Sequence, residues 1–384
     1  MTSGTVDIEP ALAALAAALH GEGPAVELSA GPEGSPVVQL VETPGVEDAA
    51  VVVRTSGSTG IPKATVLTLD ALAASSMATA LALKGEGQWL LALPVQYVAG
   101  VQVLVRSLFA GTRPWAMDLS GGFTPEAFTA AALELTDKLR FTSLVPTQLQ
   151  RLLDAPSAET LTVLRRFNGV LLGGGPAAPE LLAAARDAGV RVVTTYGSAE
   201  TCGGCVYDGV PLDGVLVRVA EDGRILLGGD TIAAGYLDAP ELSAEAFVED
   251  GGVRWYRTND LGELNADGTL TVLGRADDVV ITGGVKVSAA HVQAELEKLD
   301  GVRAAFVAGV PSAEWGQALA AYVALADSTP AGIRDFTAGE AWASALGSLA
   351  PKTVLAAGEL LMLPNGKPDR LSMTVRLTEL HQGK

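Results

Sequence analysis

The stretch "RTSGSTGIPK", Arg54 to Lys63, gathers four hydroxyls, two glycines and one ammonium into a single loop. It separates the β-branched run "AVVV" from the alternating "ATVLT". Gly57 and Gly60 let backbone amides come close to a ligand. Thr55, Ser56, Ser58 and Thr59 add donors, and Lys63 adds mobile positive charge. Such a set closes around an anion, although the Walker spacing G-x-x-x-x-G-K-[ST] is missing. A second cation stands out because Arg106 interrupts the apolar, helix-like "VQVLVRSLFAG". Burying a guanidinium is costly unless it is paired or faces a polar cavity; otherwise it must reach solvent from one helix face. Cys202 and Cys205, in "TCGGC", have the spacing of a redox pair or of half a zinc site. Zinc needs about four ligands, whereas His20, His291 and His381 are scattered, and no thioredoxin-like context surrounds the pair. The cysteines read as small buried residues.

The elements that must position these groups alternate along the first half of the chain. "AVVVRTS", "QWLLALP", "FTSLVP", "FNGVLLGGG" and "RVVTTYG" read as strands. Between them "LDALAASSMATALAL", "GVQVLVRSLFAG", "TQLQRLLDA" and "PELLAAARDAG" read as helices. That rhythm predicts parallel βαβ units in an α/β layer architecture. From about Val210 the pattern becomes β-rich, with a hairpin through "EDGR" in "VLVRVAEDGRILLGG". A smaller α+β unit follows, containing the helix "SAAHVQAELEKLD", the strands "RAAFVAGVP" and "ALAAYVALAD", and a last helix. The expected division is a domain over 1–275 and a second over 276–384. At 384 residues, 48% of them apolar and 18% charged, the chain can bury two cores.

A net charge of −18 with no basic run argues against nucleic acid or an anionic membrane surface as partner. "MTSGTVDIEP" is acidic where a signal peptide is basic, and no apolar stretch reaches the roughly 18 residues of a spanning helix. The expectation is a cytoplasmic protein acting on small molecules; a homodimer is left open.

The loop resembles the phosphate-binding signature of the adenylate-forming superfamily: acyl- and aryl-CoA ligases, peptide-synthetase adenylation domains and luciferases. Further segments resemble that family in order: "LGGGPAAPELL", "TTYGSAET", "YRTNDLG", "LGRADDVVITGGVKVS" and "LPNGKPDR". The resemblance implies a large N-terminal domain of layered α/β sheets with a β-rich subdomain, and a small mobile α+β C-terminal domain. It implies ATP and Mg²⁺, with coenzyme A as co-substrate. Thr55, Ser56, Gly57, Ser58, Thr59, Gly60 and Lys63 would face phosphate, and Gly174, Gly175 and Pro176 would flank adenine. Thr195, Tyr196 and Gly197 would continue that wall, with Tyr196 stacking on the base. Glu200 would hold Mg²⁺, Asp260 the ribose hydroxyls, and Arg275 ribose or phosphate. Asp277 would be the hinge and Lys286 part of the face used in the thioester step. Lys367 would bridge the carboxylate and the α-phosphate. That chemistry is coherent, because bringing a carboxylate against a polyphosphate demands charge neutralisation and alignment.

"LPVQYVAGVQVLVRSLFAG" resembles the region lining the acyl pocket, with Tyr97 in place of the usual His and Gly100 beside it. In o-succinylbenzoate–CoA ligases an Arg at the position of Arg106 meets the aromatic carboxylate, and a guanidinium fork suits such an aryl dicarboxylate. The whole sequence is most similar to the compact actinobacterial form of that ligase of menaquinone biosynthesis. A ligase for another aryl or medium-chain acid, and a non-catalytic nucleotide-binding homologue, are the alternatives. Departures from the family pattern are Ala199 for Thr, Asn259 for Gly, Ala289 for Pro and His291 for Glu. They leave open one phosphate-facing hydroxyl, for which Thr201 or Ser198 could substitute, and the contacts at one helix start.

Overall fold

The computed structural model describes residues 6–31, 34–56, 62–338, 341–363 and 368–383. The chain forms two compact units. The first comprises the residues up to Ala220 with Leu226–Thr258 and Leu264–Thr271; the second comprises Glu221–Ile225, Asn259–Glu263 and Val272–Lys384.

In the first unit a seven-stranded sheet carries the expected parallel layer. Val192–Ser198, Gly169–Leu172, Arg140–Leu144, Gln88–Leu91 and Trp115–Ala116 lie side by side and parallel. Gly203–Tyr207 and Val210–Pro211 extend the sheet antiparallel beyond Val192–Ser198. The central strands are continuous apolar runs because helices cover both faces. On one face, Phe128, Leu149, Leu152, Val163, Leu164 and Leu181 pack onto Leu90, Leu144, Val170 and Leu172. The helix Leu69–Leu83 starts at Thr68, whose hydroxyl accepts the Ala71 amide at 3.2 Å. It stops where Lys84 turns left-handed at φ 62°.

A second sheet was not legible in the sequence: "AVVVRTS", expected among the parallel strands of the first, lies in it and pairs antiparallel with Pro62–Thr68. Its order is Gly235–Tyr236, Pro62–Thr68, Ala49–Ser56, Ala25–Ala30 and Pro36–Val41. A β-rich layer follows, with Val215–Val219 beside Arg224–Gly229 as the "EDGR" hairpin requires, then Val253–Leu264 and Phe247–Asp250.

The second unit is built on Val285–Ser288, Val279–Thr282, Gly316–Leu325 and Val302–Ser312, with Thr353–Ala357 parallel to Gly316–Leu325. The helix Ala289–Glu297 buries Val292 and Leu296 on one face, and Arg370–Gln382 buries Met373 and Leu377 on the other. The helix start left open by Ala289 and His291 is secured by Ser288, whose hydroxyl accepts the His291 amide at 3.2 Å.

Candidate active site

The two arms of the hydroxyl-rich stretch are antiparallel strands. Ala49–Ser56 pairs with Pro62–Thr68 out to Thr55↔Lys63 and Ser56↔Pro62. This differs from a Walker loop, which leads from a strand into a helix. Gly57, Ser58, Thr59 and Gly60 lie outside the described residues. Thr55 and Lys63 are half-buried, and the Lys63 ammonium sits 5.0 Å from the centroid of the Tyr236 ring.

The residues expected to flank adenine lie where parallel strands end, the edge at which open α/β sheets bind ligands. A Cβ at Gly173 would stand 2.4 Å from Thr195 Oγ1, so the turn after Gly169–Leu172 packs directly on Val192–Ser198. Gly174 is left-handed at φ 84°, and Gly174, Gly175 and Pro176 are exposed. Gly197 has φ 155°, and a side chain there would meet the Gly203 carbonyl at 2.1 Å. Tyr196 is half-buried beside it.

Glu200 sits in the 3₁₀ turn Ala199–Thr201 and is only 6% exposed. Its Oε1 accepts the Tyr236 hydroxyl at 2.8 Å, and its carbonyl accepts the Ala233 amide at 2.9 Å. Burial, then the neighbouring Glu200 charge, pushes the Tyr236 phenol well up, so it stays a proton donor. Thr201 is fully buried and committed internally: it accepts the Ser198 amide at 2.9 Å and donates to the Gly203 carbonyl at 2.7 Å. It therefore cannot replace the hydroxyl that Ala199 lacks. Among the described residues no group of three His, Cys, Asp or Glu side chains could cage a metal. One carboxylate with oxygen neighbours does fit Mg²⁺, which takes most of its ligands from phosphate and water.

The helix expected to line the acyl pocket is Val98–Phe109, entered through the half-buried Tyr97. Burial raises the Tyr97 phenol above its ordinary range. Gly100 has a packing reason of its own, since a Cβ would stand 2.2 Å from the Pro94 carbonyl oxygen. Arg106 is largely withdrawn from solvent. It is 6% exposed, its guanidinium lies 5.3 Å from the Trp89 ring centroid, and its Nε has no partner among the described residues. It lines a crevice with Ser76, Thr79, Trp89 and the exposed Glu86, and its charge is felt at Cys202. Gln102, one turn earlier, donates to the Cys202 carbonyl at 2.5 Å and to Ser75 at 3.3 Å. Sequence reasoning missed this polar seam, whose signal is the serine pair in "AASSMATAL" facing Gln102 and Arg106. The thiols are free and buried; burial pushes Cys205 up to about 12 and Cys202 higher. They are inert packing groups.

In the second unit, Asp260 and Arg275 are half-buried on Val253–Leu264 and Leu270–Arg275. Asn259 accepts from Arg224 at 2.7 Å, a bond that glycine could not make. Lys286 is exposed on the hairpin Val279–Thr282/Val285–Ser288, opposite Ile281. Asp277 lies in the 3₁₀ turn Ala276–Asp278, whose Asp278 pairs with Arg370. Lys367 lies outside the described residues, with Asn365 and Gly366 of its turn.

Residues 7–237 match the model of the AMP-binding enzyme family, and the chain belongs to that family. Within it, the chain is 46% identical over 286 residues to a probable 2-succinylbenzoate–CoA ligase of Mycobacterium tuberculosis, spanning 74% of this chain and 73% of that one. A solved o-succinylbenzoate CoA synthetase from Bacillus subtilis, in complex with the acyl-adenylate intermediate, is 25% identical with a TM-score of 0.70. The likeness covers 88% of this chain and 70% of that one. ATP-bound MatB from Rhodopseudomonas palustris shares the fold at a TM-score of 0.74 and 24% identity, over 92% of this chain and 75% of its own. No described helix is long and apolar enough to cross a membrane.

Proposed function

We propose that the chain joins o-succinylbenzoate to coenzyme A in two steps, in the cytoplasm, as a monomer or homodimer. In the first step the succinyl carboxylate oxygen attacks the α-phosphorus of ATP. A phosphorus–oxygen bond forms, the bond to the β-phosphate bridge breaks, and pyrophosphate leaves. In the second, the coenzyme A sulfur attacks the acyl carbon, AMP leaves with the bonding electrons, and the thiol proton is released. Adenylation is needed because a free carboxylate would have to expel oxide.

The chain's own residues then have distinct tasks. The Thr55–Lys63 loop holds phosphate, Tyr196 and the 174–176 turn hold adenine, and Asp260 and Arg275 hold the ribose side. Glu200 holds Mg²⁺, which offsets charge on the phosphates when bound. Lys367 bridges the two anions, and rotation of the 276–384 domain about Asp277 replaces it with the face that includes Lys286. Arg106, beyond Tyr97 and Gly100, meets the aryl carboxylate.

The observation that carries this reading is Arg106: a guanidinium buried on the acyl-side helix, with no carboxylate paired to it among the described residues. Burying an unpaired charge costs several kcal/mol by itself, which an incoming dianion would repay. The mycobacterial and Bacillus relatives, named for this ligase activity, point the same way. The test is to supply ATP, Mg²⁺ and coenzyme A with o-succinylbenzoate, benzoate and medium-chain acids, then weigh the products. Formation of AMP and o-succinylbenzoyl-CoA alone is expected; equal turnover of benzoate, or no AMP from any acid, would end the proposal.

A further inference from the structure

Three nucleotide-side segments meet at one side chain that no motif singled out. Tyr236 lies on the short strand Gly235–Tyr236, which pairs with the hairpin strand through Gly235↔Val66 and Tyr236↔Thr65. Its neighbours stitch it down: Ala234 donates to the Val66 carbonyl at 3.0 Å and Leu237 to the Ala64 carbonyl at 2.8 Å. The Tyr236 amide donates to Ser243 Oγ at 2.8 Å. Its ring meets Phe247 edge-on at 5.3 Å, and only 6% of the residue is exposed. From that fixed frame the hydroxyl reaches Glu200 Oε1 at 2.8 Å, while the ring lies 5.0 Å from the Lys63 ammonium.

A neutral phenol suits this place. It fixes one oxygen of the carboxylate and leaves the other for a cation, and it does not cancel the charge as a lysine would. The electron-rich ring face attracts the ammonium without consuming any of its N–H donors in an ion pair. One rigid, buried side chain therefore holds the metal-seeking anion and the phosphate-seeking cation at a set spacing.

We propose that Tyr236 is a positioning residue for adenylation: its hydroxyl aims the Glu200 carboxylate at the nucleotide's metal, and its ring seats Lys63. The inference rests on the reading of Glu200 as the metal-facing carboxylate. The experiment uses the full chain carrying Tyr236→Phe, which keeps the ring and removes the hydroxyl. ATP binding is measured by titration calorimetry with and without Mg²⁺, and ATP–pyrophosphate exchange is measured across Mg²⁺ concentrations. MgATP affinity is expected to fall about tenfold, on the scale of one hydrogen bond to a charged group. Half-saturating Mg²⁺ should rise in parallel, with metal-free ATP binding unchanged. Tyr236→Leu, which also loses the ring, should weaken metal-free ATP as well. Loss equal with and without Mg²⁺ in Tyr236→Phe, or no loss in either, overturns the inference. Glu200→Gln separates the two levels. A normal Mg²⁺ response there would sink the reading of Glu200 itself; an altered one beside an unaltered Tyr236→Phe would sink only the role of Tyr236. Should Tyr236→Phe not fold, 4-aminophenylalanine in place of Tyr236 retains ring and donor. Wild-type MgATP affinity in that protein sustains the role, and a tenfold loss in the folded protein refutes it.

Discussion

Replacing Arg106 with methionine should move stability and activity in opposite directions. The guanidinium is 6% exposed, its Nε is unpartnered among the described residues, and its visible compensation is the Trp89 ring at 5.3 Å. Removing a buried charge from water costs several kcal/mol, whereas stacking on an indole returns about 0.5–2 kcal/mol. The empty protein therefore carries a net cost at this position. Arg106→Met, which keeps a long unbranched chain under the indole, should stabilise it by about 1–2 kcal/mol. That corresponds to a melting temperature about 3–6 °C higher, at the usual few degrees per kcal/mol. On the proposed role, the same change strips a charged hydrogen-bond donor from the substrate's second carboxylate, a loss of about 2–3 kcal/mol. The kcat/KM for o-succinylbenzoate should fall roughly 30- to 150-fold, at 1.4 kcal/mol per tenfold. The KM for ATP should not move. Calorimetric melting without substrates and steady-state kinetics with each substrate varied separately supply both readings. A variant that melts lower and keeps its kcat/KM within threefold would make Arg106 a structural prop and refute the reasoning.

Lys367→Ala should abolish pyrophosphate release but leave thioester formation from supplied acyl-adenylate largely intact; equal loss in both half-reactions would contradict the exchange of faces about Asp277. Gly100→Ala places a carbon 2.2 Å from a backbone oxygen, where no side chain can yield. It should cost about 1–3 kcal/mol of stability as overpacking, read by urea unfolding, and a wild-type midpoint would rule out the close approach. The thiols predict an alkaline limit. Cys205 is pushed from 9.0 up to about 12 by burial, and Cys202 higher still. A folded value raised above the unfolded one gives stability that is whole below pH 9 and drains as pH climbs toward the folded value. Each thiol should remove about 1.4 kcal/mol per pH unit in that window. Urea midpoints at pH 8, 9 and 10 should fall accordingly, and Cys205→Ala should flatten the decline.

What could be read from the residues was whatever lies in one short segment. The parallel layer was legible because strands such as Gly169–Leu172 are unbroken apolar runs set off by glycine and proline. The stretch Thr55–Lys63 was legible as an anion-binding composition, but the antiparallel pairing of its two arms was not, because alternation in "ATVLT" does not say what it pairs with. Relations across the chain were invisible. Tyr236 sits in "AAGYLDAPE" and reads as ordinary core, yet its hydroxyl partner Glu200 lies 36 residues away. Arg106 marks the boundary between these cases. The sequence showed that a guanidinium on an apolar helix needed an explanation, and only the packed helices showed how little of it reaches solvent. Its crevice is lined by hydroxyls, an indole and the exposed Glu86, with which it forms no ion pair among the described residues, and the carbonyl of Cys202 is already taken by Gln102 and Ser75. A seam that buries a cation and spends its nearby acceptor elsewhere is poorly arranged for stability alone. The proposed role would have it receive a carboxylate, and for that reason the stability gain in Arg106→Met is as informative as the loss of activity.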